Sequence, residues 1–94
     1  MSHDEHPNWP EWLKELVLME PELITWDGMD DAIMGTATRC GMPAVLVYDY
    51  NKMIDILVKR DGIEPDEAAE FLDFNLVGAF VGDMTPITIY PPLE

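Results

Sequence analysis

The sequence predicts an α+β fold: a three-stranded, mainly antiparallel sheet, made of a hairpin plus an edge strand, packed with two to three helices. Three observations predict it. Apolar residues recur at spacings of three and four over separate stretches, the period of an amphipathic helix. Two strand-like runs, 32–39 and 43–48, flank a short loop that contains Gly41, which is the pattern of a β-hairpin. A last run, Pro86-Ile87-Thr88-Ile89-Tyr90, alternates like a strand, and Pro86, Pro91 and Pro92 suit it to an edge.

The elements follow in order. Residues 1–8 are polar and acidic, without apolar periodicity, and are expected to form a flexible tail on a single domain of residues 1–94. A first helix is expected from Trp9 to about Met19, with Asn8 and Glu11 as a capping box and Pro10 in its first turn. Trp9, Trp12, Leu13, Leu16 and Val17 form its apolar stripe, and Pro21 stops it. Leu23-Ile24-Thr25-Trp26 is a short extended candidate closed by the turn pair Asp27-Gly28. Val45-Leu46-Val47 is apolar on consecutive positions, so both of its faces should be covered, as in a central strand.

Asp49 is a good N-cap and Gly62 a good stop for a second helix from about Tyr50 to Arg60. Tyr50, Met53, Ile54, Leu57 and Val58 make its buried face, and Asp55 and Lys59 opposite are spaced for a helical ion pair. A third helix starts near Pro65, with Ala68, Leu72, Asn75, Leu76 and Ala79 on one face. Asn75 in that stripe should be buried and should tie the helix end to a neighbouring loop. Gly78 and Gly82 mark the interval in which the helix ends. Two helices between the hairpin and the last strand are expected to return the chain antiparallel to the strand it left.

Composition narrows function. Nineteen acids against five bases give a net charge of −14 over 94 residues. Such a surface repels nucleic-acid phosphates and anionic membranes and attracts basic surfaces. The sequence therefore predicts no direct nucleic-acid binding and no membrane association. The N-terminus has neither a basic start nor an apolar run, and the one cysteine, Cys40, excludes an intrachain disulfide, so a cytoplasmic location is expected.

Catalytic chemistry finds little support. Ser2 is the only serine, and both histidines, His3 and His6, lie in the expected tail, so a Ser–His or Cys–His pair has no rigid platform. His3 and His6 have no second cluster to complete a metal site. Asp27, Asp30 and Asp31 lack the alternation of a calcium loop and are expected to cap turns. Cys40 is expected in a small pocket at the hairpin end. The sequence thus predicts a binding protein rather than an enzyme, with no cofactor and no metal.

The string Trp26-Asp27-Gly28, Asp31-Ala32-Ile33-Met34-Gly35, Arg39-Cys40-Gly41, Val47-Tyr48-Asp49, Arg60-Asp61-Gly62, Glu67-Ala68, Phe74-Asn75, Gly78-Ala79 and Gly82-Asp83-Met84-Thr85-Pro86 resembles a group of short uncharacterised proteins encoded by bacteriophages and prophages. The resemblance covers roughly two-thirds of the chain, lies in the spacing of turns and strands, and carries no catalytic signature. It implies a phage origin and no established activity. With the charge, it suggests an inhibitor of a host nucleic-acid-binding defence complex that sets carboxylates against Lys and Arg side chains.

The residues expected to carry this binding are Asp66, Glu67, Glu70 and Asp73, with Phe74 as an apolar anchor. Asp66, Glu70 and Asp73 recur at intervals of four and three, which stacks them along one helical face. Phe74 and Val77 are expected on that carboxylate side. Two other readings fit the same composition: a homo-oligomeric phage accessory protein whose charge serves solubility, and a small-ligand-binding protein. A homodimer is expected, because three strands expose two sheet edges and the tryptophan-bearing first helix holds more apolar surface than one small sheet covers.

Overall fold

In the computed structural model, which describes residues 9–92, the chain runs through α1 (Glu11–Met19), a 3-10 turn (Asp30–Ala32), β1 (Ile33–Ala37), β2 (Val45–Asp49), α2 (Tyr50–Asp61), α3 (Pro65–Leu72), a π-helical turn (Asp73–Val77) and β3 (Ile87–Ile89). This is the expected α+β architecture. The expected tail of residues 1–8, with the Asn8 cap, lies outside the described residues. Pro10 takes the N-cap position of α1 instead, in extended backbone, and its carbonyl accepts the Leu13 and Lys14 N–H groups at 3.0 and 3.2 Å.

The strand order is β1-β2-β3, so β2 is central and β3 is an edge, as the sequence suggests. β1 pairs antiparallel with β2, but β3 pairs with β2 in parallel. The expected antiparallel return is therefore corrected. The expectation counted helix reversals and neglected residues 78–86, which follow the last helical turn. A five-residue strand spans about 16 Å, and a connection of this length can cross that distance and begin β3 at the same end as β2. The segment Leu23–Trp26 joins no sheet.

Every residue of β2 is buried. Side chains alternate across a strand, so its two faces can be followed separately. Leu46 and Tyr48, both without exposure, join the main core with Leu13 and Val17 of α1, Met53 and Leu57 of α2, and Ala68 and Leu72 of α3. Val45 and Val47 point to the other face and lie outside that cluster. All three helices thus contribute to the core on one side of the sheet. Met34 is an extra residue in β1, where the register shifts between Ile33 and Gly35.

The helices obey their local signals. Asp49 ends β2 and caps α2, its carboxylate accepting the Lys52 N–H at 3.1 Å, and Gly62 closes α2 in the left-handed region at φ 70°. Strand passes to helix with no intervening loop. Trp9, Leu13 and Val17 seat α1, whereas Trp12, expected in the same stripe, is 42% exposed at its margin. The Tyr48 hydroxyl accepts the Trp26 N–H at 2.8 Å and so fastens the irregular segment before the sheet to its central strand.

Two consequences can be measured. Leu46 is fully buried, so Leu46→Ala is expected to cost about 2–5 kcal/mol in a denaturant titration, and a change within experimental noise contradicts its placement. Burial pushes the Tyr48 phenol up from 10.0 to about 12, with the Asp30 charge adding to the rise and the Trp26 N–H opposing it. The folded protein keeps this proton where the unfolded chain has released it. Stability from Tyr48 is therefore intact below pH 10 and is lost as pH rises towards about 12, by on the order of 3 kcal/mol. Titrations of the parent and Tyr48→Phe across that range should show the alkaline decline shrinking in the variant.

Candidate functional site

The acidic face is built on α3. Pro65 occupies the start of the helix, where its missing N–H is harmless, and the Glu67 carboxylate reaches back to the Glu64 N–H at 3.5 Å. Asp66 and Glu67 in the first turn also meet the positive end of the helix dipole. Ala68 and Leu72, both fully buried, seat the helix on the core and turn its opposite side to water. Asp66, Glu67, Glu70 and Asp73 are all exposed there, and Phe74 is 88% exposed. Asp66, Glu70 and Asp73 share one helical face, since Asp73 still has α-helical backbone angles.

The chain then widens into the π-helical turn. The Gly78 N–H bonds the Asp73 carbonyl at 3.1 Å, a span of five residues rather than four. A side chain at Gly78 would place its Cβ 2.8 Å from that oxygen, so glycine lets the wide turn close. The turn breaks the periodicity of the stripe. Asn75 is exposed, and its Nδ2 donates to the Phe71 carbonyl at 2.9 Å within its own helical run. It neither enters the core nor ties the helix to another loop, contrary to expectation. Leu76 and Val77 pack against the core, so Val77 does not share the exposed carboxylate side with Phe74.

Glu70, Phe71, Asp73, Phe74 and Asn75 line an open hollow of about 590 Å³. Phe71, 46% exposed, was not singled out in the sequence, although it lies three residues before Phe74, a spacing that sets the two rings on neighbouring positions of a helix surface. At the hollow's margin the Tyr50 hydroxyl donates to the Asp73 carboxylate at 3.2 Å. The Tyr50 ring lies 4.5 Å from that of Tyr90, tilted by 34°. Desolvation, and then the charge of Asp73, raise the Tyr50 phenol above its ordinary pKa.

These contacts separate the carboxylates by role. Glu67 serves the helix start and Asp73 accepts the Tyr50 hydroxyl. Among the described residues, Asp66 and Glu70 make no side-chain hydrogen bond, and none of the carboxylates of α3 forms an ion pair. The bases do not neutralise them. Three of the five, Lys52, Lys59 and Arg60, sit on α2, where Arg60 contacts Asp61 at 3.2 Å and the Gly28 carbonyl at 3.2 Å. The expected Asp55–Lys59 pair is absent among the described residues, as suits two exposed chains for which pairing gains little.

The remaining candidates gather no chemistry. Cys40, expected in a small pocket, is exposed, as are its neighbours Thr38, Arg39 and Gly41 in the turn between β1 and β2. Asp30 and Asp31 open the 3-10 turn, and no group of three or more His, Cys, Asp or Glu among the described residues is placed to hold a metal. No helix among them is long and apolar enough to cross a membrane.

No protein-family profile matches the chain, and no curated protein or solved structure does.

Proposed function

We propose that the protein works by binding a partner with a basic surface, through the carboxylates of α3 and with Phe74 as the apolar anchor. One observation carries this reading: a phenylalanine 88% exposed beside a hollow walled by Glu70 and Asp73, on a face where no base opposes the acids. A large apolar ring left in water gains free energy on docking, by about 25 cal/mol for each Å² covered. The carboxylates alongside bias which surface covers it, because Lys and Arg side chains meet them in charge-assisted hydrogen bonds.

Asp66, Glu70 and Asp73 step along the helix axis by about 5–6 Å, at 1.5 Å per residue. That spacing is of the order of the separation of phosphates along one nucleic-acid strand. A protein that grips nucleic acid through Lys and Arg is the partner class this row suits, and a host defence complex of that kind is the specific target we favour in view of the phage-like sequence pattern. The mechanism is competition: the carboxylates occupy the positions that phosphates would take.

The test changes charge without changing shape. The triple variant Asp66→Asn, Glu70→Gln, Asp73→Asn is expected to lose a basic partner that the parent captures from host lysate at low salt and releases at high salt. Its stability should move by no more than about 0.5 kcal/mol, since exposed charges contribute little and their mutual repulsion is relieved. Phe74→Ser should weaken capture while leaving its salt dependence in place. Undiminished capture by the triple variant contradicts the proposal.

A further inference from the structure

The side of the sheet away from the helices has a different character from the rest of the molecule. Val47 pairs with Gly35 of β1 and with Ile87 of β3, and Asp49 pairs with Ile89. Paired residues point to the same face, so Val45, Val47, Ile87 and Ile89 share the face opposite the core. The valines are buried within the sheet, while Ile87 and Ile89 are 44% and 40% exposed. The helices seat on the other face, in the core cluster that contains Leu46 and Tyr48 and leaves out Val45 and Val47. Beside it, Met42, Val45, Phe80 and Ile87 help to line a hollow of about 270 Å³ between the hairpin loop and the segment that leads into β3.

That leading segment is held in shape. The Thr85 hydroxyl accepts the Val81 N–H at 2.9 Å and donates to the Gly82 carbonyl at 2.6 Å. The turn it secures carries Phe80 and Val81, 80% and 53% exposed. An aromatic ring and a hollow therefore lie on one rim.

Charge identifies the occupant. Asp49 shares this face through its pairing with Ile89, but it is only 8% exposed and its carboxylate is taken up in capping α2. Residues 33–48 and 78–92, which form the rest of this side, contain one base, Arg39, and one acid, Asp83, in a chain of net charge −14. Both line the hollow, and neither forms an ion pair among the described residues. A basic partner finds a single carboxylate here. A second copy finds a neutral surface that carries its own complement, a ring with a hollow and a cation with an anion. Contact through this side also keeps the acids of α1 and α3 out of the interface.

We infer that the helix-free side of the sheet is a self-association surface, on which a second copy seats its Phe80 in the hollow and pairs its Asp83 with Arg39 under two-fold symmetry. Such an arrangement forms each contact twice. Pairing of the sheet edges is a poorer route: Pro86, Pro91 and Pro92 flank β3, and the extra residue Met34 distorts β1. The inference is independent of the acidic face on α3.

Sedimentation equilibrium of the full chain over a range of concentrations tests it. The parent is expected to dimerise, and Phe80→Ser to raise the dissociation constant at least about tenfold. Arg39→Glu and Asp83→Arg should each weaken the dimer, and the double variant should recover it. Circular dichroism should show all four variants folded, because the three side chains are exposed. A monomer at every concentration overturns the inference. So does a dimer indifferent to Phe80→Ser, or charge reversals that the double variant fails to rescue.

Discussion

The structure depends on the burial of β2 from both sides. Leu46 and Tyr48 enter the helical core, Val45 and Val47 enter the opposite face, and Asp49 ends the strand as the cap of α2. Five consecutive residues thus serve two layers and one helix start. Because the Asp49 cap joins strand to helix directly, the position of β2 fixes the origin of α2. The Tyr48 hydroxyl extends the same control to Trp26, which precedes the sheet. Burying a strand this way requires flanking strands on both edges, and the hairpin and the parallel β3 supply them.

One consequence is a division of the surface by charge. The helices need only one apolar stripe each to seat on Leu46 and Tyr48, so their outer sides are free to be ionic. The strands and their connections have no such spare side, since one face meets the core and the other carries Val45, Val47, Ile87 and Ile89. The acids accordingly gather on the helices and on the turns before the sheet, and the sheet side is left nearly neutral. The two proposed contacts follow from that partition. The acidic side suits a partner of opposite charge, while the neutral side suits a contact in which like charges must be kept apart.

Much of this fold was legible because its signals are local. Asp49 and Gly62 bound α2 as their capping preferences dictate, Pro65 opens α3, and the consecutive apolar residues at 45–47 mark the central strand. What escaped the sequence depends on contacts between distant residues or on backbone choices with no compositional mark. The direction of β3 is set by how far residues 78–86 travel, which periodicity does not report. The π-helical turn depends on the close approach of Gly78 to the Asp73 carbonyl, and a glycine there reads equally well as a simple helix stop. That turn moved Asn75 to the surface and Val77 to the core. The acids of α3 and the exposure of Phe74 were readable from helical spacing, but the hollow beside Phe74 was not. Phe80 lies between Gly78 and Gly82 in a segment without periodicity, and its bracketing by glycines was the one signal that could have marked it.

If β2 organises the molecule, its amides cannot exchange without the whole domain opening. Native-state hydrogen exchange measures this directly. The account predicts that the hydrogen-bonded amides of Val45–Asp49 exchange only at the free energy of global unfolding, as read from denaturant titration of the same sample, and are the last to lose protection. Exchange of those amides at a lower free energy, while α2 and α3 remain protected, would contradict it.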